Sequence, residues 1–571
     1  MILFYRILVI LIIFQITSIN IYSQTEERGF GSLSSKEWQF IYKKPLSLQP
    51  ELTEYYWELE RPPFGGTHDK IGLHRIVNEN ATPKAAVFIC PGTNASTWRY
   101  IGNDFIGNTI NSINIRLKQN SSNKKELMDL LDDANTMKQR LLIRFLAAKG
   151  YDVYGIDYRT RYIPTNYETK DLEFMTNWGW DLFVEDTKAA IEKTKKLSGY
   201  NKVFIAGTSF GGMLATTYSS KYWHDDLNGI VLLDGGNGGR WKIRIPLELW
   251  KLIENELIKA LPDLPDWAYT DGRISPKILQ VLIDTFIRNI LYKLVNMYAI
   301  DMQVSLGPLT DVMDVLTVFL NTIGIPFHLG ELPHYNDVTN AAFSDPLAKP
   351  IDPVTGIYLK PYNETTGKPF DSYLKWNAER LYLLPLEGLF TNYVQGHNTP
   401  LGAAINFIGN DRFWPLEVYL ETVSMFEFEI TTSAEPLNLI GFTIDISQIP
   451  AAVTKAINIL LSSTNVNNEV NKSTNTKNIL MNLLNNGHKN ISQTFDYVGN
   501  LKNVDVPLIS FQSRLGLLVW GPFNPGIKNK DVVNGGEYPY YGHMDIYTGL
   551  TNPENVNIPL LKWLDEHVLN Y

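Results

Sequence analysis

The run Lys202-Val203-Phe204-Ile205-Ala206-Gly207-Thr208-Ser209-Phe210-Gly211-Gly212 decides the fold. Lys202–Ala206 has the pattern of a short buried strand, and Gly211–Tyr222 continues with helical spacing. A serine on such a strand-to-helix turn is held in a strained conformation with its hydroxyl above the sheet. Glycines two residues to either side let helix and strand approach closely. The helix N-terminus behind the serine places partial positive charge where an oxyanion would form.

Outward from this turn the chain alternates. Ala85–Cys90 is a continuous apolar run, as expected of a strand buried on both faces. The pattern of Leu127–Lys149 predicts a helix closed by Gly150. Tyr151–Asp157 reads as a strand, Trp180–Leu197 as a helix and Gly229–Leu233 as a strand. This order predicts βαβ units and a mostly parallel sheet. Upstream, Glu54–Glu60 and Lys70–Asn78 read as strands joined through Pro62-Pro63-Phe64-Gly65-Gly66. The alternation stops near Asp234 and returns with a strand at Val506–Phe511 and a closing helix at Asn555–Val568.

Between these parts lies a long segment of helical patterns and loops. Its clearest helix is Pro276–Met297, with Ser275 suited to the N-cap and Pro276 to the first helical position. Asp311–Leu320 reads similarly, Pro346–Pro361 as a loop, and the asparagine-rich Asn465–Asn490 as a surface connection. The expected organisation is α/β: residues 24–234 form the first part of a sheet domain, 235–504 a mainly helical cap insertion, and 505–571 the second part. Aromatic residues such as Trp241, Trp250 and Trp267 would build the core of the insertion or line an apolar pocket.

With its serine turn in this setting, the chain resembles the α/β-hydrolase superfamily, in its secreted lipase- and esterase-like branch. The resemblance covers residues 50–234 and 505–571. It implies Ser209 as nucleophile and His543, in Tyr540-Tyr541-Gly542-His543-Met544-Asp545, as its base. The implied oxyanion donors are the backbone N–H groups of Thr93, in Cys90-Pro91-Gly92-Thr93-Asn94, and of Phe210. Many relatives carry the acid after the penultimate strand. This chain has Gln512-Ser513-Arg514-Leu515-Gly516 there, with no carboxylate. A minority arrangement places the acid after the strand that follows the nucleophile helix, and Asp234 stands at that point. Asp531 and Glu537 are alternatives, as is a site without a third member. The implied activity is hydrolysis of a carboxylic ester, from an acyl lipid or a small ester, with no cofactor and no metal. A peptidase or amidase with the same serine, or a non-catalytic binding module, are the other readings. Tyr158-Arg159-Thr160-Arg161 reads as a solvated loop, or as a site for an acidic group.

Composition narrows the rest. The 571 residues are too many for one ordinary core. With 44% hydrophobic and 19% charged residues the chain is not of disordered type. A net charge of −9 argues against broad attraction to nucleic acid. The single cysteine, Cys90, allows no intrachain disulfide and no cysteine-based zinc site. Asn-X-Ser/Thr sequons at Asn80, Asn94, Asn120, Asn363, Asn471 and Asn490 are chance matches in an asparagine-rich chain. At the N-terminus, Arg6 precedes the apolar run Ile7–Phe14 and a polar stretch ending at Ser23-Gln24. This is the layout of a secretory signal peptide over residues 1–23, which implies export by a bacterial route and no stable membrane span after cleavage. An uncleaved anchor over Leu3–Ile21 is the alternative. N-terminal sequencing of the exported protein is expected to begin near Gln24; a product retaining Met1 in the membrane fraction would select the anchor.

Overall fold

The computed structural model describes residues 37–62, 66–92, 96–119, 124–163, 174, 178–235, 241–282, 362–363, 368–369, 420, 426–432, 438–439, 442–443, 451, 454, 481, 484, 495–513, 525–538, 541 and 545–568. A nine-stranded sheet forms the frame. Its strands are β1 (Gln39–Leu46), β2 (Gln49–Glu60), β3 (Lys70–Asn78), β4 (Ala86–Cys90), β5 (Asp152–Asp157), β6 (Val203–Thr208), β7 (Leu227–Leu233), β8 (Leu508–Ser513) and β9 (Val532–Tyr538), in spatial order 1-2-3-5-4-6-7-8-9. Strands β1, β2 and β3 are antiparallel neighbours, and β3 meets β5 antiparallel. From β5 to β9 every pairing is parallel.

The apolar runs of the central strands are continuous because both faces are covered. Along β4, Ala86, Phe88 and Cys90 join one core and Val87 and Ile89 the other. The first core takes Phe183 and Ile191 from α4 (Trp180–Ser198) and Leu214 and Tyr218 from α5 (Phe210–Asp226). The second takes Leu142 and Leu146 from α3 (Leu142–Ala148) and Leu560 and Leu564 from α7 (Ile558–Val568). Two further helices, α1 (Asn103–Lys118) and α2 (Lys124–Arg140), lie outside this layer, and α6 (Leu247–Ala260) lies beyond β7.

Several sequence expectations change here. The single helix over Leu127–Lys149 is two, α2 and α3, separated at Leu141, whose backbone is extended (φ −73°, ψ 112°). The two have different partners. Ala134 and Met137 of α2 pack with Ile106 of α1, whereas α3 packs on the sheet. No glycine or proline marks the break. Strand β1 was not anticipated; it is an edge strand with exposed Phe40 and Ile41, so its burial pattern gives no clean alternation. Strand β9 was hidden by Gly535-Gly536, and the Phe511 ring occupies the space a side chain on Gly535 would need.

Strand β8 pairs directly with β7, in register Leu508↔Ile230 to Phe511↔Leu233, although residues 234–507 intervene. Among the described residues of that stretch, Trp241–Pro246 and Phe426–Thr431 pair in parallel, and three two-residue antiparallel pairs accompany α6. Strand structure therefore shares this region with helix. The helix expected from Pro276 is present over 276–282, and Ser275 Oγ accepts from Lys277 N–H at 3.1 Å. The rest of it, and the expectations for 1–23, 311–320 and 346–361, lie outside the described residues, as does 465–490 apart from Met481 and Leu484. No described helix is long and apolar enough to cross a membrane.

A charged cluster is buried in the antiparallel wall. His74 Nδ1 stands 2.9 Å from Glu54 Oε1, and Nε2 stands 3.1 Å from Asp157 Oδ2. Burial alone would lower the imidazole's pKa, but the Asp157 and Glu54 carboxylates more than offset it and hold it above its ordinary value. Burial likewise works against ionised Asp157, yet Arg161, His74 and the Thr97 N–H bring it down to about 2. For Asp157 the stabilisation, on the order of 2 kcal/mol, is present above about pH 3.8 and is lost as pH falls through about 2. For His74 it is complete below about pH 6.5 and is lost as pH rises through the elevated folded-state value. Denaturant unfolding measured across pH is expected to show both limbs. His74→Gln should remove the alkaline limb and lower stability by about 3–5 kcal/mol, because two buried carboxylates lose their shared cation.

Candidate active site at the carboxyl edge of the sheet

Strand β6 ends at Thr208 and α5 begins at Phe210, so Ser209 alone makes the turn. Its φ of 50° and ψ of −125° lie where non-glycine residues are rarely found. The turn is held by close packing. A Cβ on Gly207 would collide with the Gly211 carbonyl, and one on Gly211 with the carbonyls of Cys90 and Pro91. The helix thus sits directly on the ends of β4 and β6. Ser209 O accepts from Gly212 N–H at 2.9 Å and from Met213 N–H at 3.2 Å, which starts the helix. The Phe210 ring packs against Tyr158, Trp180 and Phe183, with centroids 5.5, 5.6 and 5.7 Å away. This anchors the first N–H of α5, one of the groups a helix leaves without an internal partner.

The turn after β4 lies beside the serine. A Cβ built on Gly92 would stand 3.3 Å from Ser209 Cβ. Gly92 N–H donates to Tyr100 Oη at 3.0 Å, and Tyr158 Oη–H donates to the Pro91 carbonyl at 2.9 Å. Thr93 itself lies outside the described residues.

Strand register brings Asp234 alongside. Thr208 pairs with Leu233, so the next residues, Ser209 and Asp234, leave adjacent parallel strands at one level. Both have positive φ, 50° and 43°. Asp234 is buried; its N–H donates to the Phe511 carbonyl at 2.8 Å, and its Oδ1 accepts from Ser513 N–H at 2.9 Å. A Cβ on Gly235 would strike the Ser209 backbone. Ser513, which has no carboxylate to offer, thus anchors the carboxylate of Asp234 through its backbone. No residue type announces this, since a peptide N–H is common to nearly every position.

His543 lies outside the described residues. On either side of it, Tyr541 and the turn Asp545–Thr548 are buried. Tyr541 Oη stands 2.6 Å from Thr551 Oγ1, Tyr547 packs edge-on against Tyr100 at 4.6 Å, and Arg140 donates to the Thr548 carbonyl. Asp531 is at the opposite edge of the sheet. It precedes β9, its carbonyl accepts from Leu508 N–H, and its exposed carboxylate lies 2.9 Å from His567 Nε2. The backbone of Glu537 pairs with Gln512 near the carboxyl end of β9; its side chain is outside the described set.

Both arginines after β5 are held by carboxylates. Arg159 is buried, with Nε 2.5 Å from Asp186 Oδ2 and Nη1 3.3 Å from Asp69 Oδ1. Arg161 Nε is 3.2 Å from Asp157 Oδ2. The Cys90 thiol is buried under the site, and burial pushes its pKa well up.

The family profile of serine aminopeptidases, S33, matches residues 132–275, which span β5 to β7 and the serine turn. The chain carries an α/β-hydrolase fold. Among solved structures, this chain is similar to a protein of Sulfolobus solfataricus provisionally described as a lipase, at 19% identity and a TM-score of 0.42, over 93% of this chain and 99% of that one. It is also similar to proline iminopeptidase of Mycobacterium smegmatis, at 12% identity and a TM-score of 0.30, over 88% and 96% of the two chains. No curated protein sequence matches it.

Geometry separates Asp234 from Asp531 by their place on the sheet. Asp234→Asn should keep the fold and lower turnover on the order of 10⁴-fold, as the corresponding change does in a serine protease. Asp531→Asn should stay within a few-fold of the parent. Steady-state kinetics of the purified variants, with circular dichroism to confirm folding, checks both.

Proposed function

We propose that this α/β hydrolase is an exported serine hydrolase that cleaves carboxylic esters of acyl lipids or small alcohols through an acyl-enzyme. The observation that carries the reading is the strained Ser209 turn with Asp234 leaving the adjacent strand at the same level. In this mechanism His543 takes the proton of Ser209 as Oγ attacks the ester carbonyl carbon. The N–H groups of Thr93 and Phe210 stabilise the tetrahedral oxyanion. The C–O bond then breaks, and the alcohol leaves with the proton returned by His543. Water, deprotonated by the same histidine, attacks the acyl carbon; the acyl–Oγ bond breaks, His543 returns the proton to Ser209, and the acid leaves. Asp234 holds the imidazole tautomer and stabilises the imidazolium. A serine at the turn, rather than an aspartate, argues against the alkyl-enzyme chemistry of dehalogenases and epoxide hydrolases.

Export is part of the proposal and rests on the charged, apolar and small-residue layout of residues 1–23. A second reading, hydrolysis of peptides or amides by the same residues, is favoured by the match to the serine aminopeptidase profile.

A fluorophosphonate probe should label wild-type protein and leave Ser209→Ala unlabelled. Ser209→Ala and His543→Ala should each lose turnover on the order of 10⁴-fold or more, and the double variant should be about as impaired as either, because the pair acts as a unit. Graded acyl esters should be turned over faster than aminoacyl amides. The reverse preference would select the peptidase, and a serine inert to the probe would leave a binding module.

A further inference from the structure

We propose that Asp157, gripped by His74, is a positioning residue that sets the Gly92 turn beside Ser209 by anchoring the short helix Thr97–Ile101. The inference rests on the serine-hydrolase reading above.

A five-residue helix has no stability of its own, so its position comes from what holds its ends. At the start, Thr97 N–H donates to Asp157 Oδ1 at 2.8 Å, and Thr97 Oγ1–H donates to the Ile156 carbonyl at 2.8 Å. The Thr97 side chain lies where a Cβ on Gly155 would be, so this end of the helix sits directly on β5. At the other end, Gly102 closes the helix with φ 61°, and Arg144 Nε donates to the Ile101 carbonyl at 2.7 Å. Between these anchors stands Tyr100, whose hydroxyl receives the Gly92 N–H. Gly92 faces the Cβ of Ser209. A shift of the helix start therefore moves the residue that holds the turn against the nucleophile.

Asp157 cannot swing to follow such a shift. Its second oxygen faces His74 Nε2 at 3.1 Å and Arg161 Nε at 3.2 Å. The other imidazole nitrogen faces Glu54, and Glu54 accepts from Tyr42 Oη–H at 2.8 Å with Lys44 Nζ 3.7 Å away. The line of contacts runs from β2 through β3 and β5 into the helix and ends at the turn.

The test compares Asp157→Asn, Thr97→Pro and Arg75→Gln in the full mature protein. Proline suits Thr97, the first helical residue, because Ser96 before it is already extended (φ −104°, ψ 158°). It removes the N–H that Asp157 accepts together with the Thr97 Oγ1–H bond to Ile156, so it loosens the whole helix start while leaving the buried charges in place. Arg75 pairs with Asp152 across the same two strands, both bonds at 2.8 Å, but at the far end of β5. It reports what loosening the wall does by itself. With p-nitrophenyl butyrate as probe, Asp157→Asn and Thr97→Pro are expected to lower kcat about 10–100-fold, with KM within about twofold. The rate of fluorophosphonate labelling should fall in parallel, while the final labelled fraction stays unchanged. Arg75→Gln should lower the melting temperature with kcat intact. Wild-type kcat in Thr97→Pro, or an equal loss in Arg75→Gln, overturns the inference. Should Asp157→Asn fail to fold, Thr97→Pro decides. Equal turnover by wild type and Ser209→Ala would overturn the underlying reading and this inference with it.

Discussion

The site depends on one steric constraint: α5 starts directly on the ends of β4 and β6, with no side chain between. Gly207 and Gly211 make that contact possible, since a methyl group on either would collide with backbone carbonyls. With helix and strand this close, a single residue must reverse the chain, and Ser209 does so at a φ of 50°. Such a conformation is unfavourable by roughly 1–3 kcal/mol and persists only when its surroundings over-determine it. Here the surroundings are the Phe210 ring among three aromatics, the Gly92 turn on one side and Gly235 on the other.

The parallel sheet converts that constraint into a site. Strands that run the same way end on the same edge, so whatever follows β4, β6, β7 and β8 is gathered there. Asp234 and Ser209 come together through register, and the peptide N–H of Ser513 reaches Asp234 because β8 lies directly against β7. The stretch between Asp234 and β8 leaves the sheet and returns to the neighbouring position. The sheet edge is therefore assembled from segments far apart in sequence. Asp531, at the amino end of its strand, belongs to the other edge for the same geometric reason.

Much of the scaffold was legible because its signals are local. The central strands announce themselves as unbroken apolar runs, and the turn residues Gly207 and Gly211 bracket Ser209 in a pattern with a mechanical cause. Reading failed where local signals were weak or misleading. The edge strand β1 mixes exposed aromatics with lysines, and β9 carries two glycines. The Leu141 break carries no breaker residue, because it arises from two helices finding different partners. Arg159 looked like a solvent-facing charge; Asp186 and Asp69, remote in sequence, take it inside, while Arg161 pairs with nearby Asp157 and stays partly exposed.

The sequence by itself determined the alternation of strands and helices, the parallel sheet buried on both faces and the serine turn, since periodicity and glycine placement act within a few residues. Tertiary structure alone decided that His74 is clamped between Glu54 and Asp157, that Thr97 starts its helix on Asp157, and that Asp234 is held by Ser513. Each of these joins groups 20 to 279 positions apart, and the donors include ordinary backbone N–H groups. Only strand order and register bring such groups within hydrogen-bond distance of their partners, and neither is written in the identity of any one residue.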